Sequence, residues 1–148
     1  MTVKLPFTGG CACGAVRYEC TAEPFVMLRC HCKDCQQISG APFEAVLYVP
    51  KEAFGLTKGA LGYRFTEGEA FGQNKRGFCA VCGSRISGGE SDRRVGIVAG
   101  SLDDSAWFRA QMDIFTQDAQ PGDLLDPDVP KFEQYPPRRR STETAPPA

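Results

Sequence analysis

The sequence lacks an excess of charge of either sign and lacks any long apolar run. Lys and Arg number 17 and Asp and Glu number 18, so the net charge is -1, and no basic field points to nucleic acid or anionic lipid. No apolar segment approaches the roughly 20 residues that a membrane-spanning helix needs. Residues 1–8 (MTVKLPFT) contain no apolar segment typical of a secretory signal. We therefore expect a cytoplasmic protein that binds neither nucleic acid nor a membrane.

Size and composition are those of a globular domain. The chain has 148 residues, of which 42% are hydrophobic and 24% charged, and a chain of this length can bury a sizeable core. The glycines form no phosphate-loop pattern and no internal repeat is visible. Seven of the 11 prolines lie between Pro121 and Pro147. We expect a single domain over residues 1–135 and a disordered Pro- and Arg-rich tail over residues 136–148.

Cysteine is the informative residue type. Seven of the eight cysteines fall into three short groups, and Cys20 stands alone; the groups are Cys11 and Cys13, then Cys30, Cys32 and Cys35, then Cys79 and Cys82. In a reducing compartment, cysteines two or three residues apart are typical of thiolate ligands to zinc. The alternatives are buried thiols or a redox-active pair, but three groups in one chain favour zinc.

The number of grouped cysteines predicts two unequal sites. Seven is one fewer than two complete four-cysteine sites require, which leaves four ligands for one ion and three for the other. We expect Cys20 to be a small core residue. We expect His31 to point away from the metal, because it lies between two cysteines that must converge. A four-thiolate site is structural, whereas a three-ligand site keeps one position open for a substrate.

The remaining pattern predicts a mostly β fold with little helix. Short runs rich in Val, Ile, Phe and Tyr, bounded by Gly, Pro or Asp, predict strands over residues 15–21, 27–30, 43–49, 61–66, 75–78, 85–87 and 95–99. A helical turn or two is predicted over residues 103–110, with Asp103 or Asp104 as the N-cap.

Four sequence blocks together resemble one known family. They are residues 9–18 (GGCACGAVRY), residues 30–36 with 39–41 (CHCKDCQ and SGA), residues 78–84 (FCAVCGS) and residues 99–104 (AGSLDD). Their order and spacing, within a stretch from about residue 3 to residue 135, resemble the glutathione-dependent formaldehyde-activating enzyme family.

The resemblance implies a fold, two zinc ions and an activity. The fold would be a zinc-stapled, mostly antiparallel β structure of the β-tent type. The structural zinc would be held by Cys11, Cys13, Cys79 and Cys82, and a second, catalytic zinc by Cys30, Cys32 and Cys35. The activity would be that of a carbon–sulfur lyase joining glutathione and formaldehyde into S-hydroxymethylglutathione.

The chain also departs from the family pattern. Asp113 stands where relatives often carry a His, and Pro121-Gly122 stands where they often carry Pro-Trp, which bears on the substrate and not on the metal sites. Zinc has no redox chemistry, so addition, elimination or hydrolysis is expected rather than hydride transfer. A small thiol in the open position would add to an aldehyde carbonyl. Glutathione is anionic, and its candidate cationic partners are Arg29, Lys33, Arg64, Lys75, Arg76 and Arg85.

One alternative from another functional class remains. The protein would be a non-catalytic zinc module for protein or nucleic-acid interaction if Cys20 or His31 completed the second site.

Overall fold

Short strands dominate the computed structural model, which describes residues 2–68 and 72–137. The strands in this part of the chain are β1 (Phe7–Gly10), β2 (Arg17–Cys20), β3 (Val26–Cys30), β4 (Glu44–Pro50), β5 (Phe54–Lys58), β6 (Leu61–Gly68), β7 (Gly72–Cys79), β8 (Arg85–Gly88), β9 (Arg94–Val98), β10 (Asp113–Ile114) and β11 (Lys131–Phe132). All seven predicted strands are present, with ends within three residues of the prediction. The prediction of a mostly β fold is confirmed.

The strands form two sheets. Three strands pair in the order β1-β2-β5, and eight in the order β11-β10-β3-β4-β9-β8-β7-β6. Neighbouring strands are antiparallel, except that the short strand β10 is parallel to both β3 and β11. The parallel pairing places Ile114 opposite Cys30. The C-terminal segment is thereby attached beside the strand that carries the central cysteines.

Strand β4 has apolar side chains on both faces because both faces of the large sheet are covered. Leu47 and Val49 point into a core shared with Tyr18 of the small sheet, whereas Val46 belongs to a second cluster with Leu28, Cys30 and Cys35. Successive side chains of a strand alternate between faces, so these two clusters lie on opposite sides of β4. Full burial of a side chain such as Leu47 (0% exposed) contributes about 1.5–3 kcal/mol.

The single α-helix of the described residues, α1 (Lys33–Ser39), is not the predicted one. It begins after Cys32, whose sulfur accepts from the backbone N–H of Cys35, and ends at Gly40, which adopts a left-handed φ of 68°. The prediction of a helix over residues 103–110 is wrong. Asp104 accepts from the N–H of Ala106 at 2.9 Å, which makes a local turn, and Asp103 bonds to Thr8 and Arg17 of the small sheet. Both carboxylates are therefore engaged in contacts other than a helix cap.

Two further sequence-based expectations concern the ends of the chain and membranes. The predicted tail over residues 136–148 lies almost wholly outside the described residues, since only 136 and 137 are described, and it stays a prediction. No helix in the described ranges is long and apolar enough to cross a membrane.

Candidate metal centres

Two hairpin-like turns bring the first and last cysteine pairs together. Cys11 follows β1 directly, and Cys79 is the last residue of β7. In each turn the backbone N–H of a glycine donates a hydrogen bond to the carbonyl of the first cysteine. Gly14 donates to Cys11 at 3.2 Å, and Gly83 donates to Cys79 at 2.8 Å. Both glycines have a positive φ, 78° and 81°, which residues with a side chain rarely adopt. The turns thus place both sulfurs of each pair on the same side.

The four sulfur atoms have the spacing of a tetrahedral metal site. The Sγ atoms of Cys11, Cys13, Cys79 and Cys82 all lie within 4.8 Å of one another, with Cys11–Cys13 at 3.5 Å and Cys13–Cys79 at 3.9 Å. Four thiolates bound tetrahedrally at 2.3 Å would be about 3.8 Å apart. The spacing, the type and the number of these sulfur atoms therefore all fit a zinc ion.

Hydrogen bonds favour the metal-binding thiolate form at Cys82, and at Cys11 they outweigh burial, whereas at Cys13 the neighbouring thiols and burial outweigh the backbone hydrogen bond of Ala15 and raise the pKa to about 11. The backbone N–H of Val16 lies 3.2 Å from the sulfur of Cys11, and the hydroxyl of Ser84 lies 3.2 Å from the sulfur of Cys82. Hydrogen bonding by Ser84 is the main cause that lowers the pKa of Cys82 to about 5. Thiolates, not thiols, bind metal ions.

The central triplet is assembled at the junction of β3 and α1. Cys30 ends β3, Cys32 caps the helix and Cys35 lies in its first turn, and their three sulfurs lie within 4.8 Å of one another. The sulfur of Cys32 accepts from the N–H of Cys35 at 3.4 Å. Hydrogen bonds from the thiols of Cys30 and Cys35 lower the pKa of Cys32 far below its ordinary value. Three converging soft donors fit zinc and leave one tetrahedral position without a sulfur ligand.

A cavity of about 740 Å³ opens onto this triplet. Tyr48 and Phe115 contribute apolar walls, and Lys33, Glu44 and Arg76 contribute charge. The carboxylate of Glu44 is 5% exposed and pairs with Arg85 at 3.2 Å. Burial is the main cause that raises the pKa of Glu44. All three triplet cysteines line this cavity, and Cys32 is the partly exposed one, whereas Cys30 and Cys35 are buried.

Neither Cys20 nor His31 belongs to a sulfur cluster in the described part of the chain. Cys20 is fully buried in the core shared by the two sheets, and its sulfur lies 3.5 Å from the carbonyl of Ala22. His31 is 1% exposed, and its Nε2 lies 2.9 Å from Oδ1 of Asp113. Its Nδ1 lies 3.3 Å from a carboxylate oxygen of Asp123. The triplet therefore offers three cysteine sulfurs, and neither of these two residues adds a fourth ligand atom.

Sequence reasoning missed the buried network behind the triplet. Asp113 is fully buried and accepts from Arg29 at 2.8 and 3.0 Å as well as contacting His31. The signal in the sequence was Asp113 itself, an acidic residue at a position where the family resemblance implied a His. An aspartate there can bond to both Arg29 and His31, which tethers β10 to β3.

The six candidate cations are distributed unevenly around the triplet. Lys33 and Arg76 line its cavity. The other four do not line this cavity: Arg29 pairs with Asp113, Lys75 with Glu90, Arg85 with Glu44, and Arg64 is exposed on β6. Lys33 is therefore the exposed cation best placed to meet a carboxylate of a ligand.

Comparison with known proteins agrees with this geometry. Residues 6–118 match the family described as glutathione-dependent formaldehyde-activating enzyme. Among solved structures, a Rhodobacter sphaeroides protein determined as a structural genomics target has 21% sequence identity and a TM-score of 0.54; the match covers 84% of this chain and 98% of that one, which bears on the fold alone. No curated protein matches. Because the family match extends over most of the chain and includes all three cysteine groups, the chain belongs to the glutathione-dependent formaldehyde-activating enzyme family.

Proposed function

We propose that the protein is a zinc-dependent carbon–sulfur lyase that joins a small thiol to formaldehyde, with glutathione as the thiol. The observation that carries the proposal is the triplet of Cys30, Cys32 and Cys35, three converging sulfurs that line a cavity of about 740 Å³. A three-ligand zinc site is the arrangement of catalytic centres, in which the fourth position is left for water or substrate.

The two clusters would divide structure and chemistry between them. Cys11, Cys13, Cys79 and Cys82 supply four ligands and would hold a structural zinc, whereas the triplet would hold the catalytic one. When bound there, zinc supplies a positive centre that lowers the pKa of a thiol in its fourth position. Both clusters need reduced cysteines, which is consistent with a cytoplasmic location.

The reaction requires no oxidant or reductant. The thiol sulfur forms a bond to the carbonyl carbon, the carbon–oxygen π bond breaks, and the thiol proton ends on the oxygen of the resulting hydroxymethyl group. The reverse reaction breaks the same carbon–sulfur bond. In this scheme Tyr48 and Phe115 exclude water from one side of the reacting atoms, and Lys33 at the helix start orients a carboxylate of the thiol.

The proposal is tested by replacing the bound metal with Co²⁺ under a phosphine reductant, which contains no thiol. The thiolate-to-cobalt and d–d absorption bands respond to a change of the fourth ligand. We expect glutathione to change the bands and S-methylglutathione, which has no ionisable thiol, to leave them unchanged. Exchange NMR between formaldehyde and its glutathione adduct then measures whether the protein accelerates a reaction that also proceeds uncatalysed.

Two variants separate the triplet from other cysteines. Cys32→Ser should abolish both the spectral response and the acceleration, whereas Cys20→Ala removes a thiol outside both clusters and should retain them in the folded protein. No response of the wild-type protein to glutathione, and no acceleration, would contradict the proposal and would favour a non-catalytic zinc module.

A further inference from the structure

Arg76 is a buried cation directly beside the triplet. It lies on β7, is 3% exposed, and its Nη2 donates to the sulfur of Cys35 at 3.9 Å. Its Nη1 donates to the hydroxyl of Thr66 on the neighbouring strand β6 at 2.6 Å. The side chain also lines the cavity that opens onto the three sulfurs. The guanidinium is therefore held against one sulfur of the triplet and also borders the cavity that the triplet lines.

The charges around the triplet assign a role to this arginine. Three thiolates and one Zn²⁺ or Co²⁺ carry a net charge of −1, and an anionic fourth ligand makes the site −2. Glu44 and Arg85 form a pair whose charges cancel. In the described part of the chain Arg76 forms no ion pair with a carboxylate, since its hydrogen bonds go to Cys35 and Thr66; the charges of Asp34 and Glu44 act on it only from a distance. Its positive charge is thus available to offset the negative charge of the ligand cluster.

We propose that Arg76 makes the open position of the triplet selective for an anionic ligand, a thiolate, over a neutral one. The inference rests on the proposed function only in requiring a metal at the triplet. Arginine stays protonated at all relevant pH values, so the selectivity comes from a fixed charge. A guanidinium that is largely shielded from water stabilises a nearby anion more strongly than an exposed one does.

The test measures two fourth ligands on the same Co²⁺-substituted protein. The probes are 2-mercaptoethanol, which binds as a thiolate, and imidazole, which binds neutral. In Arg76→Gln we expect the affinity for 2-mercaptoethanol to fall by about 10- to 100-fold, the effect of one charge-assisted hydrogen bond. The affinity for imidazole should stay within about threefold of wild type, since a neutral ligand gains little from the charge.

Matched variants separate charge from structure. Arg64 stands directly opposite Arg76 across the β6–β7 pair but is exposed, so Arg64→Gln removes the same charge from the same hairpin and should leave both affinities unchanged. Thr66→Val keeps the charge and deletes the oxygen that positions it. It should weaken thiolate binding by about twofold to fivefold, and it serves as the deciding variant if Arg76→Gln does not fold.

Three outcomes would overturn the inference. The first is an equal fall of the affinities for 2-mercaptoethanol and imidazole in Arg76→Gln, and the second is an unchanged affinity for 2-mercaptoethanol in that variant. The third applies where only Thr66→Val folds, and it is an unchanged ratio of the two affinities in Thr66→Val. Because neither probe is glutathione, the selectivity can hold even where glutathione gives no response. That result would reject the proposed function and leave the role of Arg76 intact.

Discussion

Replacement of Asp113 by Asn should strongly destabilise the protein, although Asp113 belongs to neither cysteine cluster. Its carboxylate is completely buried and accepts from two nitrogens of Arg29 at 2.8 and 3.0 Å and contacts Nε2 of His31 at 2.9 Å. Asn preserves the shape but removes the charge and turns an NH₂ group toward one of the donors. The guanidinium of Arg29 would then be left beside a neutral partner.

The expected loss is about 3–5 kcal/mol of unfolding free energy, the range found when one partner of a buried ion pair is removed. For a chain of this size that corresponds to a fall in Tm of roughly 6–20 °C. The effect should extend to the metal site, since β10 pairs with β3 through Asp113 opposite Arg29 and Ile114 opposite Cys30.

Urea unfolding of the metal-loaded protein at pH 7 measures this loss, and Asp103→Asn is the matched control. Asp103 also bonds to an arginine, Arg17, with Nη1 to Oδ1 at 2.9 Å, but its side chain is 44% exposed. Exposed ion pairs contribute about 0–1 kcal/mol. A loss in Asp113→Asn that is no larger than in Asp103→Asn would refute the reasoning.

The contribution of Asp113 to the free energy of unfolding should also depend on pH, and the pKa of its carboxyl gives the direction. Burial alone would raise the pKa of Asp113, but hydrogen bonds from Arg29 and His31 outweigh it and the pKa lies below its ordinary value. A carboxyl whose pKa is lowered on folding stabilises the protein above its unfolded pKa of about 3.9, and that contribution is lost as the pH falls through the folded pKa. The difference between wild type and Asp113→Asn should therefore be present at pH 7 and shrink below about pH 4.

Two further predictions concern the cysteine clusters. Stepwise chelation of freshly reduced protein should remove two metal ions per chain in two phases, the three-ligand site first, because it lacks a fourth protein ligand; one metal per chain at the start would contradict the two-site assignment. In thermal melts, Cys79→Ser should unfold or aggregate the chain, since structural zinc binding contributes about 10–16 kcal/mol in small peptides, whereas Cys32→Ser should leave it folded; equal destabilisation would make the triplet structural as well.

The sequence predicted the central strands correctly because their residues alternate or are apolar throughout. Strands such as β4, with Val46 and Leu47 on opposite faces, carry that pattern in themselves. Strands β1 and β5 were missed because their polar and glycine content, as in FTGG and FGLTK, matches turns as well as strands. The two-residue strand β10 exists through pairing with β3 and cannot be read from its own sequence.

The helix was misplaced for a similar reason. Residues 33–39 (KDCQQIS) carry no clear helical period over their seven positions, and the segment is helical because Cys32 caps it and Cys35 is buried in the apolar cluster that includes Leu28 and Val46. Residues 103–110 offered two aspartates as N-caps, but Asp103 bonds to Thr8 and Arg17, which are distant in sequence. Neither partner could be inferred from local propensity.

The grouping of the cysteines was predicted, whereas their surroundings were not. Spacing alone brings two sulfurs of a pair together, and the resemblance to a family supplied which pairs meet. The cation beside the triplet required the structure, since Arg76 reaches Cys35 across 41 residues. Proximity to the cysteine motifs in the sequence had made six cations equal candidates for binding an anionic ligand. The pairing of the strands decides which of them lie beside the triplet.

The topology also explains why the two clusters should differ in their effect on folding. Cys13 and Cys79 are 66 residues apart, and the four-sulfur cluster links the β1–β2 turn of the small sheet to the β7–β8 turn of the large one. A metal bound there closes a long loop of the chain. Without the metal the unfolded chain has more conformational entropy, and the folded state is less stable relative to it. The triplet lies within six consecutive residues at the β3–α1 junction and closes almost none. The local cluster is thus free to keep an open position and exchange ligands, because the attachment of the two sheets does not depend on it.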